Sequence, residues 1–168
     1  MIEFIQADPS IHSDAIRELF WEYLQWASEQ FGEEIQGAFD IADMLEHNMH
    51  TLDKFRPPGG RLLLCRCDEQ WAGIACLRRL EQTIGEVKRM YVRPALRRRG
   101  IARMLLNRLI EEAAEMGYLQ LRLDSARFMK DAHELYRTHG FREIEPYEGS
   151  EIPKEFQSLW LFMQKDLK

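Results

Sequence analysis

A long amphipathic segment set between two strand-like ones does most to limit the folds open to this chain. From Ile101 to Met116 the apolar residues Ile101, Leu105, Leu109 and Ala113 recur four apart, the spacing of a helix with one buried stripe, and Gly117 follows as its stop. Thr83–Arg93 before it and Tyr118–Asp124 after it have the composition of strands. A strand that returns to its own sheet through a helix does so as a crossover, so these two strands are predicted to lie parallel with the helix packed on one face.

The segments around this unit are simpler. Arg61–Cys67, Gln70–Leu80 and Thr83–Arg93 are separated by short polar connections such as Asp68-Glu69, which predicts an antiparallel meander. Upstream, Ile2, Phe4 and Ile5 mark a first strand within Met1–Ala7, and Asp8-Pro9-Ser10 supplies cap chemistry for a helix from Ile11 to about Phe31. A second helix is predicted from about Phe39 to Phe55, ended by Pro57-Pro58-Gly59-Gly60. Downstream come a short helix from about Met129 to His139, closed by Gly140, and two strands at Phe141–Pro146 and Ser158–Lys165. The fold class is α+β, and with no repeat, linker or low-complexity tract the whole of 1–168 reads as one domain.

Composition narrows the function. With 168 residues, 45% of them hydrophobic and 30% charged, the chain can bury a core without disulfides or metals. A net charge of -5 argues against a general nucleic-acid binder, so any basic site is local. One stands out: Arg93, Arg97, Arg98, Arg99, Arg103 and Arg108 crowd a single stretch and ask for an anion. Cys65, Cys67 and Cys76 lack zinc-site spacing and read as reduced strand residues, and His47 and His50 have no evident third ligand, so no metal is predicted. No charged-then-apolar leader opens the chain and no stretch approaches the ~20 apolar residues of a membrane span. The expectation is a cytoplasmic protein with no membrane partner.

The stretch Glu86–Ala102 reads as a strand, a turn and a helix start. Gly100 and the small Ala102 let the backbone approach a ligand, and the free N–H groups of a helix start favour an anion. A diphosphate fits, with Arg97, Arg98 and Arg103 able to add charge-assisted hydrogen bonds. The other reading is a tight connection carrying a solvated arginine cluster. Neither the triphosphate loop nor the three-glycine dinucleotide fingerprint is present, so a different phosphate-bearing cofactor is called for.

At Arg97-Arg98-Arg99-Gly100-Ile101-Ala102 the chain resembles the GNAT superfamily of N-acetyltransferases, whose pyrophosphate loop reads Gln/Arg-x-x-Gly-x-Gly/Ala. A second family motif, Ala-x-x-Leu-Tyr-x-x-x-Gly-Phe, matches Ala132 to Phe141 at a compatible separation. The resemblance is clear from about Gln70 to Phe141. It implies a GNAT-like mixed, mostly antiparallel sheet with helices on both faces, and acetyl-CoA as cofactor. It implies that the pantetheine arm lies along the strand at Met90, Tyr91 and Val92, with a backbone N–H near Met90 facing the thioester carbonyl. Arg97, Arg98, Arg99, Gly100, Ile101, Ala102 and Arg103 would hold the pyrophosphate. Tyr136 takes the place of the acid that protonates the departing thiolate; the competing reading is a core tyrosine. Glu86 takes the place of the glutamate that acts as base in the histone-acetylating branch; the competing reading is an ion pair on the sheet. One departure is Met129, where the family often has an asparagine that contacts the coenzyme.

The expected acceptor is a primary amine of a small molecule, amino acid or peptide. Trp26 and Tyr147 are the candidate acceptor contacts, and Glu22, Glu29, Glu33 and Glu34 either attract a cationic amine or form a solvated helix face. No supported nucleophilic cysteine is apparent, which favours direct transfer without a covalent enzyme intermediate. A homodimer is compatible with the chain. Two rivals stand beside this reading: a non-catalytic acyl-CoA-binding sensor or interaction protein, and a nucleic-acid module using Arg97–Arg99.

Overall fold

A computed structural model describes every residue except Gln36, and for Glu34 the backbone alone. Among the described residues seven strands form one sheet: β1 (Ile2–Gln6), β2 (Arg61–Cys67), β3 (Gln70–Glu81), β4 (Ile84–Val92), β5 (Gln120–Ala126), β6 (Arg142–Ile144) and β7 (Trp160–Asp166). Their order is β1-β2-β3-β4-β5-β7-β6. Neighbours are antiparallel except β4 and β5, which run parallel as the crossover requires.

The α-helices of the described residues cover the sheet: α1 (Pro9–Phe31), α2 (Ile41–His50), α3 (Ile101–Glu115) and α4 (Lys130–Thr138). The Asp8 carboxylate accepts from Ser10 N at 2.8 Å with Pro9 at the first helical position, so α1 begins two residues earlier than Ile11. The helix expected to reach Phe55 ends at His50. Thr51 leaves helical backbone (φ -111°, ψ 20°), and a 3-10 turn at Leu52–Phe55 completes the segment. The Phe141–Pro146 strand shortens to Arg142–Ile144.

Two apolar layers sandwich the sheet. On one side Ile16, Leu19 and Phe20 of α1 and Leu45 of α2 meet Leu62, Leu64 and Ile74. On the other, Ile101, Leu105, Leu109 and Ala113 of α3, none more than 1% exposed, meet Leu77, Val87 and Leu121. Burying each such leucine contributes about 1.5–3 kcal/mol, so this stripe fixes where α3 starts relative to β4.

Two irregularities shape the middle of the sheet. β4 and β5 pair only at Ile84 with Gln120, Gly85 with Leu121 and Glu86 with Arg122, and beyond Glu86 the strands part. Against β3, Lys88 pairs with Cys76 and Tyr91 with Ile74, which leaves Arg89 and Met90 as a bulge opposite Ala75. Arg89 has φ +54°. A wedge therefore opens between β4 and β5.

Candidate active site

The chain leaves β4 through Arg93, which is tied to α1 by its ion pair with Glu22 at 2.8 Å and to Trp71 O at 2.7 Å. Arg97 follows. Its Nε donates to Val92 O at 2.9 Å, and its guanidinium stacks on Trp26 at 4.9 Å and Tyr91 at 5.8 Å. The Val92 carbonyl keeps a second lone pair for another donor. Arg98 (φ +63°) and Gly100 (φ +79°) both adopt left-handed backbone, which turns the chain into α3. A side chain at Gly100 would meet nothing within 4 Å, so the turn presents open backbone at that point.

The first bond within α3 runs from Met104 N to Gly100 O at 3.0 Å, so the N–H groups of Ile101, Ala102 and Arg103 have no intrahelical acceptor. The Ile101 side chain is in the core, and only its backbone can serve a ligand. Arg98, Arg99 and Arg103 are exposed, with Arg99 reaching toward Cys67 Sγ at 3.9 Å. Unpaired N–H groups, a helix dipole and clustered guanidinium groups make this end of α3 suited to phosphate.

From that end a cavity of about 310 Å³ runs into the wedge. Met90, Tyr91, Val92, Arg97 and Ala102 line it on one side, and Ala132, Leu135 and Tyr136 of α4 on the other. Trp26 also belongs to this wall and not to the second cavity described below. Burial pushes the Tyr136 hydroxyl above its ordinary pKa near 10, and Tyr23 and Asp124 add to the effect. No buried side-chain nitrogen or oxygen among the described residues lacks a partner. Since no side chain or carbonyl hydrogen-bonds the Tyr136 hydroxyl, it faces the cavity. Where the family often has asparagine, Met129 lines the same cavity, and Ser125 Oγ bonds both Met129 Sδ at 3.6 Å and His133 Nε2 at 3.1 Å.

A second cavity of about 980 Å³ lies between the sheet, α1, α2 and the loop after β6. Tyr23, Leu24, Phe31, Phe39, Met44 and Trp160 supply its apolar wall. The two cavities share Tyr23, Lys88, Arg89, Asp124 and Met129. At this junction sits a network of buried charge. Lys88 Nζ lies 3.0 Å from Asp124, 3.6 Å from Glu151 and 3.9 Å from Glu86. Burial works against the Lys88 ammonium, but Asp124 and Glu86 hold its pKa above the usual value. Burial likewise opposes the Glu151 carboxylate, and Lys88, Arg89 and Lys54 overcome it and hold that group well below the usual carboxylate range.

Glu86 is fully buried and lines neither cavity. Arg78 Nε donates to one of its oxygens at 2.7 Å and the Tyr147 hydroxyl to the other at 2.6 Å. Tyr147 packs on Phe162 at 5.6 Å, also outside both linings. Burial and the neighbouring Glu86 raise the Tyr147 pKa, so the phenol remains a donor. Glu29 and Glu33 stand at the mouth of the larger cavity, whereas Glu22 is engaged by Arg93 and the Glu34 side chain lies outside the described residues.

Sequence reasoning did not single out Lys88, Asp124 or Glu151. A signal was present in the first: Glu86 and Lys88, two apart, share one face of a central strand, and opposite charges there require a buried network. No set of three or more histidine, cysteine or acidic residues suited to a metal occurs among the described residues, and no helix is long and apolar enough to cross a membrane.

The acetyltransferase (GNAT) family model matches residues 13–141. An uncharacterized N-acetyltransferase of Schizosaccharomyces pombe is 31% identical over 145 residues, covering 83% of this chain and 82% of that protein. Among solved structures, a GNAT-family acetyltransferase of Staphylococcus aureus superposes with a TM-score of 0.74 at 22% identity, covering 100% of both chains. The PaiA N-acetyltransferase of Thermoplasma acidophilum, solved in complex with coenzyme A, gives 0.75 at 16% identity over 99% of both.

Proposed function

The chain belongs to the acetyltransferase (GNAT) family, and on that footing we propose that it moves the acetyl group of acetyl-CoA directly to the primary amine of a small molecule, amino acid or peptide. The observation that carries the proposal is continuity. The open start of α3, the wedge cavity with the Tyr136 hydroxyl, and the larger cavity follow one another and meet at Lys88 and Asp124.

The structure fits the coenzyme on its own residues. The free N–H groups of Ile101, Ala102 and Arg103, with Arg97 and Arg98 beside them, are the holders of the pyrophosphate, and Met90 to Val92 form the wall for the pantetheine arm. When bound, acetyl-CoA supplies an acetyl group already activated as a thioester.

Each chain residue then has a task. Tyr136 keeps its proton at neutral pH and gives it to the departing sulfur. The bulge takes Arg89 and Met90 out of the ladder with β3, which frees a backbone N–H to meet charge on the carbonyl oxygen. The incoming amine, with a reference pKa near ~10, must lose a proton first. Asp124 is the carboxylate that lines both cavities, and it accepts that proton, directly or through a water. Glu86, for which the resemblance implied a base and the residues equally an ion pair on the sheet, acts from behind as a positioning residue by holding Arg78 and facing Lys88.

Release of free thiol from acetyl-CoA is the test, run against amines, amino acids, peptides, polyamines and aminoglycosides. Amine-dependent release is the expected result. Tight coenzyme binding without release for any amine would instead assign the chain as an acyl-CoA sensor.

A further inference from the structure

The ionic network at the junction does not balance. Its cations are Lys54, Arg78, Lys88 and Arg89 and its carboxylates Glu86, Asp124 and Glu151, four against three, which leaves one positive charge in excess. Of the four cations Lys88 and Arg89 line the cavities, and Arg89 keeps donors unused. It donates to Glu151 at 3.2 and 3.3 Å and to Asn48 Oδ1 at 2.6 Å. A guanidinium has five N–H donors, so two remain without a partner among the described residues. Its side chain is only 13% exposed and lines both cavities. Its one carboxylate partner, Glu151, is shared with Lys54 at 2.7 Å and Lys88 at 3.6 Å.

Around this cationic floor the wall is apolar, and Phe31 packs on Trp160 at 4.8 Å and Phe39 on Phe156 at 5.2 Å. The mouth carries the exposed carboxylates Glu29, Glu33, Asp40 and Asp43. Charges at the mouth are screened by water, whereas a charge at the buried floor acts several-fold more strongly. The floor therefore decides what is held, and the mouth what is attracted.

We propose that the acceptor is a free amino acid or a close analogue with an apolar side chain, whose carboxylate is read by Arg89 and Lys88 beside the amine that is acetylated. The same excess charge favours the free amine over its ammonium form, the state needed for attack. A peptide N-terminus lacks the adjacent carboxylate and a polyamine adds only positive charge, so both are excluded from this site. Glu151 partly occupies the floor cations and sets the strength of anion binding. The proposal rests on the acetyl-transfer reading in taking the larger cavity as the acceptor's.

The test is equilibrium binding, which needs no turnover. Ligand-observed NMR with coenzyme A present compares leucine with isoamylamine and phenylalanine with phenethylamine, pairs that differ only in the carboxylate. The amino acid of a pair is expected to bind about tenfold tighter than its amine. Arg89→Gln should erase that preference, and Glu151→Gln, which adds one more unit of positive charge, should enlarge it. Equal or tighter binding of the amines, binding of no amino acid, or a preference that survives Arg89→Gln would overturn the proposal. Should Arg89→Gln fail to fold, an unchanged preference in Glu151→Gln overturns it alone. Thiol release is read separately: its absence with every pair ends the transferase reading and leaves the measured carboxylate preference to stand or fall by itself.

Discussion

Lys88 and Asp124 form an ion pair, Nζ to Oδ2 at 3.0 Å, across the mouth of the gap between two parallel strands. Each lies two residues beyond the last position at which these two strands pair with each other, Glu86 on β4 and Arg122 on β5. The side chains thus meet where the backbones have ceased to, and both cavities reach them. Sheet geometry and site electrostatics are the same feature here.

Asp124→Asn removes the proton acceptor and keeps the shape. The turnover number is expected to fall on the order of 10²-fold, with acetyl-CoA affinity little changed. Glu86→Gln, at a site without cavity access, should instead lower stability more than it lowers turnover at saturating substrate.

Tyr136→Phe tests the acid. Its hydroxyl makes no hydrogen bond to the described residues, so stability should change by less than about 1 kcal/mol while turnover falls ~10- to 10²-fold. Burial raises the pKa of this group, and an acid works in its protonated form. Wild-type turnover should therefore show no alkaline loss from Tyr136 below pH ~10.

Glu151→Gln tests the network through stability. The folded-state pKa of Glu151 is depressed, so its contribution is fully present above the ordinary value of 4.5 and is lost as pH falls toward the folded value. Denaturant unfolding at pH ~7 should show the variant less stable by about 1–3 kcal/mol, a figure reduced from that of a fully buried pair because the side chain is partly exposed. The difference from wild type should narrow below pH ~4.5.

Two glycines should respond differently to a methyl group. At Gly100 the space is open but φ is +79°, so Gly100→Ala should cost about 1–2 kcal/mol of stability and weaken acetyl-CoA binding at the turn. At Gly73, where β3 faces β4, a Cβ would fall 2.6 Å from Tyr91 O. Backbone must move there, so Gly73→Ala should cost about 1–3 kcal/mol and disturb the adjacent bulge.

Local periodicity made the frame legible. The four-residue stripe of α3 was readable because one face alone is buried, and Arg61–Cys67 because β-rich apolar runs between turns have few other outcomes. The insertion of β7 between β5 and β6 was not, since it depends on pairing between segments far apart in the chain. Met90 to Val92, Arg97, Ala102 and Tyr136, which the family resemblance named together, line one cavity. Trp26 proved to stack on Arg97 and Tyr147 to bond Glu86, because ring orientation is set by partners a linear pattern does not name. The charge network draws Lys54, Arg78, Lys88, Asp124 and Glu151 from separate elements, and only their convergence shows that they belong together.

Calorimetric titration of acetyl-CoA into the wild-type chain and into Arg97→Glu bears most directly on the claim that the start of α3 and the β4–β5 wedge form a coenzyme site. Saturable binding to the wild type, weakened about tenfold or more by the charge reversal, is the expected result. No heat with the wild type, or equal affinity in the two proteins, would contradict it.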